Sequence, residues 1–243
     1  MSGHSKWSTI KHQKAATDKV RGAVFTKLGN AITLAVRQGG GIDPEANFKL
    51  RLAIEKAREA NMPKDNIERA LAKAQGATEE GTLLEQVIYE GFAPGGIAVL
   101  VEGVTDNKQR TVSQVKNVFS QKGGSLGSTG SVSYLFTQVG EIHLKKQISP
   151  DVLLEKVLEV GADDIEVTDD DYIVFTNPHN LHRIKLELAK KELVIIKSEL
   201  SFRPTTTIVV DAITTPKVVN LLISLENLDD IHKVYANAVL TTE

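Results

Sequence analysis

From residue 20 onward, large apolar side chains recur every three or four positions, the period of a half-buried helix. Val20, Val24, Leu28, Ala31/Ile32 and Ala35 share one face, and Gly39-Gly40-Gly41 breaks the run. Asp43-Pro44 predicts the next helix start, with Leu50, Ala53/Ile54 and Ala57 as its stripe. Asn61 is suited to a left-handed C-cap. Pro63 then opens a helix carrying Ile67, Ala70/Leu71 and Ala74, ended by Gly76. Three such helices with short links predict a small bundle over residues 17–76.

After the polar link 77–81 the period shortens to that of strands. Residues 84–92 and 97–104 flank Ala93-Pro94-Gly95-Gly96 and predict a hairpin. Residues 107–122 predict a helix (Val112, Val115, Val118/Phe119) capped by Gly123, followed by a strand over 131–136. A self-contained series comes next. It runs through a strand at 140–144, a helix opened by Ser149-Pro150 with Leu153/Leu154 and Val157/Leu158, strands at 165–168 and 172–176, a helix opened by Asn177-Pro178, and a strand at 194–200. This βαββαβ order is the ferredoxin-like pattern. The tail adds a strand at 206–210, a helix opened by Thr215-Pro216 with Val218, Leu222 and Leu225, and a strand at 231–235. Those last elements have no sheet of their own, so they are expected to pair with the strands of 83–136.

The predicted fold class is α+β, an N-terminal three-helix bundle followed by two α/β domains. The expected partition is a basic arm plus helical bundle over 1–77, a discontinuous α/β domain from 78–137 and 204–243, and an inserted ferredoxin-like domain over 138–203.

The net charge of −2 over 243 residues hides a split. Residues 1–77 hold 14 basic and 7 acidic side chains, net +7; the rest holds 15 and 24, net −9. Such a division marks a polyanion-binding end on an acidic body. No apolar run approaches the ~18 residues of a membrane span, and the N-terminus lacks the apolar core of a secretory signal, so a cytoplasmic protein with no membrane partner is expected. The chain has no cysteine, which removes disulfides, thiolate metal sites and thiol nucleophiles together.

Catalytic candidates are poor. The glycine-rich stretch 123–130 follows a helix and precedes a strand, the reverse of a phosphate-binding loop, and is read as a connection. His179 and His182 share a helical spacing but lack a third ligand. The acidic run Asp163, Asp164, Glu166, Asp169, Asp170 and Asp171 lacks calcium-loop spacing and is read as a solvated strand and turn. Glu90 and Glu102 fall on neighbouring strands and are read as surface residues, with no positioned base beside them. No enzyme activity, metal or cofactor is implied.

The first 27 residues stand apart. Lys6, Lys11, Lys14, Lys19, Arg21 and Lys27, with His4 and His12, face the single acid Asp18. Lysines and arginines neutralise phosphates and release counterions, giving affinity without sequence choice. Trp7, among them, can stack on an unpaired base or anchor the arm to the bundle. Nucleic acid, DNA or RNA, is therefore the expected partner, through these nine side chains. A second tier, Arg51, Lys56, Arg58, Lys64, Arg69 and Lys73, alternates with Glu55, Glu59, Asp65 and Glu68 and is read as helix-surface ion pairs. The acidic remainder could dock a protein partner.

Several blocks carry a family resemblance: Gly3-His4-Ser5-Lys6-Trp7, Ile10-Lys11-His12, Lys14-Ala15-Ala16, Phe25-Thr26-Lys27-Leu28, Leu50-Arg51-Leu52-Ala53-Ile54 and Asn61-Met62-Pro63-Lys64-Asp65-Asn66-Ile67-Glu68-Arg69-Ala70. Tyr89-Glu90-Gly91, Pro94-Gly95-Gly96, Thr105-Asp106-Asn107, Gly130-Ser131-Val132 and Val234-Tyr235-Ala236-Asn237 continue it to the end. Together they resemble the YebC/PmpR family. Gln13, Gly29-Asn30 and Phe48 depart from its pattern. The resemblance implies a bundle and two α/β domains around a cavity, and a probable DNA-binding transcriptional regulator. Its mitochondrial relatives look like translational activators and bacterial members have been linked to ribosomes, so an RNA- or ribosome-binding translation factor is the alternative. Because the first block begins at residue 3, a bacterial cytosolic member is expected rather than an organellar precursor.

Overall fold

A computed structural model describes residues 18–76 and 84–240, the side chains of 18–21 and 76 excepted. Helices α1 (Asp18–Gln38), α2 (Phe48–Glu59) and α3 (Lys64–Gly76) form the bundle, with Leu28, Ile32, Leu50, Ile54, Ala57, Ile67 and Ala70 in its core. Val24, expected in the stripe, is exposed. The second helix starts later than Asp43-Pro44 suggests. Its N-cap is Asn47, whose side-chain oxygen accepts from Leu50 N at 3.0 Å while its amide donates to Ala35 O and Gly41 O. A buried asparagine that satisfies three backbone groups at once outcompetes an exposed aspartate. Asn61 sits at φ 56°, in the left-handed region that closes a helix.

Strands β1 (Glu85–Ala93) and β2 (Ile97–Thr105) form the hairpin, paired from Glu85↔Thr105 to Ala93↔Ile97. Gly95 and Gly96 both have positive φ, which the tight reversal requires. Helix α4 (Lys108–Gln121) follows, N-capped by Asn107, and its inward face is Thr111, Val115 and Phe119, with Val112 only half-buried. A short β3 (Ser125–Leu126) pairs with β1. The strand expected over 131–136 is instead a 3-10 turn, Ser133–Leu135, because backbone N–H groups here bond a side chain (below); β4 (Phe136–Lys145) begins after it.

Next come α5 (Pro150–Glu159), β5 (Asp164–Val167), β6 (Asp171–Thr176), α6 (Leu181–Lys190) and β7 (Ile195–Pro204). They form a sheet of order β5-β6-β4-β7, antiparallel throughout, the arrangement of a ferredoxin-like βαββαβ unit. Ile142, Leu144, Leu153, Val157, Val174, Leu181, Ile184 and Leu188 make its core. Leu154 and Leu158, their apolar neighbours on α5, are exposed.

The tail supplies β8 (Ile208–Val210), α7 (Thr215–Glu226), β9 (Ile231–Ala236) and β10 (Ala238–Leu240). β9 pairs with β2 as expected, giving the order β3-β1-β2-β9, but β8, expected on the same sheet, instead forms a separate parallel pair with β10, a short strand the period does not predict. Helices α4 and α7 cover one face of the larger sheet, with Val99, Val101, Val115, Phe119, Leu221, Leu225, Ile231 and Val234 in the shared core. The mixed α and β class and the order of its parts are as the sequence pattern predicts.

Candidate nucleic-acid interface

His4, Lys6, Trp7, Lys11, His12 and Lys14 lie outside the described residues. Lys19 and Arg21 fall on the first turns of α1, their side chains likewise outside the description. Lys27 is placed: its ammonium donates to Glu226 O at 2.7 Å, at the C-terminal end of α7. A cation there meets the negative pole of the helix and a carbonyl without an intrahelical partner. The structure thus brings one of the nine sequence candidates into a contact between the bundle and the α/β body.

The second tier of charge divides. Lys64 and Glu68 pair along α3 at 3.3 Å, both exposed. Arg51, Glu55 and Lys56 of α2 pair outward instead. Glu55 accepts from Lys185 of α6 at 2.7 Å, Lys56 reaches Glu199 of β7 at 2.8 Å, and Arg51 donates to His182 Nε2 at 2.9 Å. Arginine is a donor only, so His182 presents a bare Nε2. The reason is geometric. Residues 48, 51, 52, 55, 56 and 59 form a second face of α2, turned away from the stripe of Leu50, Ile54 and Ala57.

Glu199 is the centre of this polar seam. Its carboxylate lies 2.8 Å from both Lys56 and Lys233 and 3.5 Å from Lys197. Burial alone would raise its carboxyl, but the Lys233, Lys56 and Lys197 ammoniums hold it well below the usual range. Lys233, which burial would push down, is raised by Glu199 and by the Glu102 and Glu141 carboxylates.

A β-bulge aims Lys233 here. Glu102 pairs with Lys233 and Gly103 with Ile231, leaving His232 as the extra residue. Ile231 and Val234 both enter the core, so His232 and Lys233 both leave it, which strict alternation would forbid. Burial, and then the Lys27, Lys56 and Lys233 ammoniums, push His232 down to about 3, so it is neutral at ordinary pH. Its Nε2 is buried without a partner.

On β4, the strand paired with the Glu199-bearing β7, His143 donates from Nδ1 to Asp171 at 2.6 Å, with Glu141 3.6 Å from Nε2. Burial opposes its protonation, but Asp171 and Glu141 outweigh that and raise it.

Glu90 corrects the sequence reading. It is 4% exposed, and its carboxylate accepts from Gly130 N and Val132 N at 2.7 Å and Ser133 N at 2.8 Å. Burial would raise it, yet those three N–H groups bring it below the usual range. The last glycine of the stretch 123–130, with Val132 and Ser133 just beyond it, therefore does cradle an anion, the protein's own. Glu102 is half-buried and accepts from Gln86 and Tyr235. Asp230 binds Thr111, Thr105 and Arg110 at 2.6, 3.2 and 2.8 Å. Periodicity could not have found Glu90 or Glu102, because a carboxylate on a strand is read as facing water, nor Asp230, which lies in the turn before β9.

Among the described residues no group of three or more His, Asp or Glu is placed to hold a metal ion, and no helix is long and apolar enough to cross a membrane.

Residues 5–77 match the TACO1/YebC protein N-terminal domain, and residues 84–238 match the TACO1/YebC second and third domain. A probable transcriptional regulatory protein of Aquifex aeolicus is 46% identical over 245 residues, covering 100% of this chain and 98% of that one. One from Persephonella marina is 47% identical over 241 residues, covering 98% and 95%. The crystal structure of a conserved hypothetical protein from Aquifex aeolicus superposes with a TM-score of 0.89 at 46% identity over 98% of each chain. With both of its parts matched and full-length relatives at this identity, the chain belongs to the TACO1/YebC family.

Proposed function

We propose that this chain is a non-enzymatic, nucleic-acid-binding regulator of gene expression, acting first as a DNA-binding transcriptional regulator. The observation that carries the reading is the first 27 residues, six lysines and arginines against one acid, joined to a body of net −9. Such a chain presents its arm to phosphate and turns its body away. The relatives named probable transcriptional regulatory proteins agree with it. So does the use of the interior carboxylates: Glu90, Glu199 and Asp230 each hold internal donors. In this reading residues 1–77 grip the polymer, 78–137 with 204–243 form a discontinuous α/β domain, and 138–203 is its insert.

Trp7 supports a second reading, an RNA- or ribosome-binding translation factor, because an aromatic ring between lysines suits unpaired bases. The contacts proposed are His4, Lys6, Trp7, Lys11, His12, Lys14, Lys19 and Arg21, with Lys27 at their inner end.

Changing Lys6, Lys11 and Lys14 together to alanine is expected to weaken binding to duplex DNA and flatten its salt dependence. The log–log slope should fall by about 0.9 for each phosphate contact removed. Unchanged affinity and slope would remove the arm as the contact. Lysate fractionation on a sucrose gradient separates the two targets. Co-migration with ribosomes, lost on deleting residues 2–14, selects the translational reading. Free migration with a sequence-selective footprint on promoter DNA selects the transcriptional one.

A further inference from the structure

The bundle meets the rest of the molecule through a seam unlike the cores on either side. Its apolar part is small: Phe48 and Leu52 of α2 pack on the edge of the ferredoxin-like core, Phe48 lying edge-on to His182 with ring centroids 6.2 Å apart. α1 also runs close along β2, and the side-chain bonds that join bundle to body beyond this strip are polar. Arg51 reaches His182 and Glu55 meets Lys185 next to it, followed by Lys56 on Glu199. On α1, Lys27 sits at the end of α7. Interfaces of this composition within one chain resemble transient protein–protein contacts, and motion across them is the ordinary case.

Two of the bundle's straps are ammoniums held by acceptors that imitate a phosphate polymer, a carboxylate for Lys56 and a helix-terminal carbonyl for Lys27. Lys56 keeps nearly half of its side chain exposed, at 46%, while Glu199 is 20% exposed. Glu199 does not depend on Lys56 to stay satisfied. Lys233 lies on the same oxygen at the same 2.8 Å, and Lys197 approaches from its own strand. Opening the strap therefore leaves no carboxylate stranded in the interior, the cost that makes breaking most enclosed ion pairs prohibitive. The buried, unpartnered His232 Nε2, with the Lys27, Lys56 and Lys233 charges around it, marks the same spot as crowded with cations in the closed form. Drawing the first two away relieves that crowding.

We propose that the docked bundle is an autoinhibited, closed form, in which Glu199 and the α7 C-terminus occupy Lys56 and Lys27, and that a nucleic-acid backbone competes for these two lysines and swings the bundle open about the Phe48–Leu52 strip. The proposal rests on the nucleic-acid reading above and adds a regulatory contact to it. Binding and opening are then one coupled equilibrium: whatever weakens the straps strengthens the grip on phosphate.

The cysteine-free chain allows a direct test. A donor–acceptor dye pair is placed on Lys73→Cys, exposed on α3, and Leu158→Cys, exposed on α5. Energy transfer and affinity are then measured with a short single-stranded RNA and a DNA duplex of equal length, in the otherwise native chain and with Glu199→Gln. Transfer is expected to change on adding nucleic acid to the native chain. The Glu199→Gln chain should show the shifted transfer before any ligand is added. It should also bind about fivefold tighter or more, the low end of a coupling between two sites, with nearly the same salt slope on duplex DNA, because Lys56 meets phosphate in both complexes. The dye pair on the native junction keeps the test valid should Glu199→Gln fold poorly. Nucleic acid that binds the native chain without changing transfer overturns the closed form and leaves the functional reading standing. Equal affinity of the native and Glu199→Gln chains does the same. No binding to either polymer by any variant overturns both.

Discussion

On one face of the sheet β3-β1-β2-β9, Val99, Val101, Ile231 and Val234 pack against Val115, Phe119, Leu221 and Leu225. On the other, Glu90 meets the backbone N–H groups of Gly130, Val132 and Ser133, Tyr235 meets Glu102, and Lys233 reaches Glu199 of β7. The first face is held by area removed from water and needs only the right size and shape of side chain. The second mixes an apolar cluster of Ala98, Leu100, Val132, Phe136 and Tyr235 with charged groups that are costly to enclose unless each is satisfied, and those charged positions tolerate little substitution and specify how the parts of the chain sit together. Stability is expected to follow the first face, and the relation of bundle to body the second.

The largest effect expected from breaking that contrast is on the apolar side. Phe119→Ala, at a fully buried position, should cost about 3–5 kcal/mol in urea unfolding. A loss under about 1 kcal/mol would mean that the α4–α7 face is not the main core.

On the polar side Glu90→Gln changes no volume, yet it replaces one acceptor oxygen with a donor facing backbone N–H groups. It should cost about 2–3 kcal/mol. Amide exchange at Gly130, Val132 and Ser133 should rise while the α4–α7 core stays protected. Uniform loss of protection across the molecule would show that Glu90 serves the core and not the loop.

The smallest effect sharpens the comparison through pH. His232 titrates near 6.5 when unfolded and at about 3 when folded, so between these values the unfolded chain binds more protons. Stability therefore falls as pH drops through that window, by about 2 kcal/mol at pH 5 for a shift of this size. His143 works the other way. Raised above its unfolded value, it stabilises the fold below about pH 6.5 and loses that contribution as pH rises through its folded value. His232→Gln should flatten the acid limb of a plot of melting temperature against pH, and an unchanged limb would refute the assignment.

How far the sequence was legible varies along the chain for identifiable reasons. The apolar stripe of α2 is legible in the sequence, but its start is not, because Asn47 caps the helix through bonds to Ala35 and Gly41, residues of the preceding helix and its turn. The strand assigned to 131–136 failed because its N–H groups are claimed by a carboxylate forty residues earlier. Helical spacing pairs the charges of α2 with one another, whereas Glu55 and Lys56 find their partners on α6 and β7. Lys27, a candidate for phosphate from composition alone, is the one member of that set whose placed side chain shows a contact, and the contact is internal.

Composition and periodicity by themselves determined the order of the helices and of the longer strands, though not the short β3 and β10, together with the ferredoxin-like βαββαβ series, the hairpin at Gly95-Gly96 and the concentration of positive charge at the N-terminus. These follow from local preference and from the period of burial, both written along the chain. Only the tertiary structure decided that Glu90 is an internal anion, that a bulge sends His232 and Lys233 to one side of β9, and that Glu199 gathers lysines from α2, β7 and β9. A charged side chain on a strand carries the same local signal whether it meets water or an opposite charge, and only the approach of a distant element distinguishes the two.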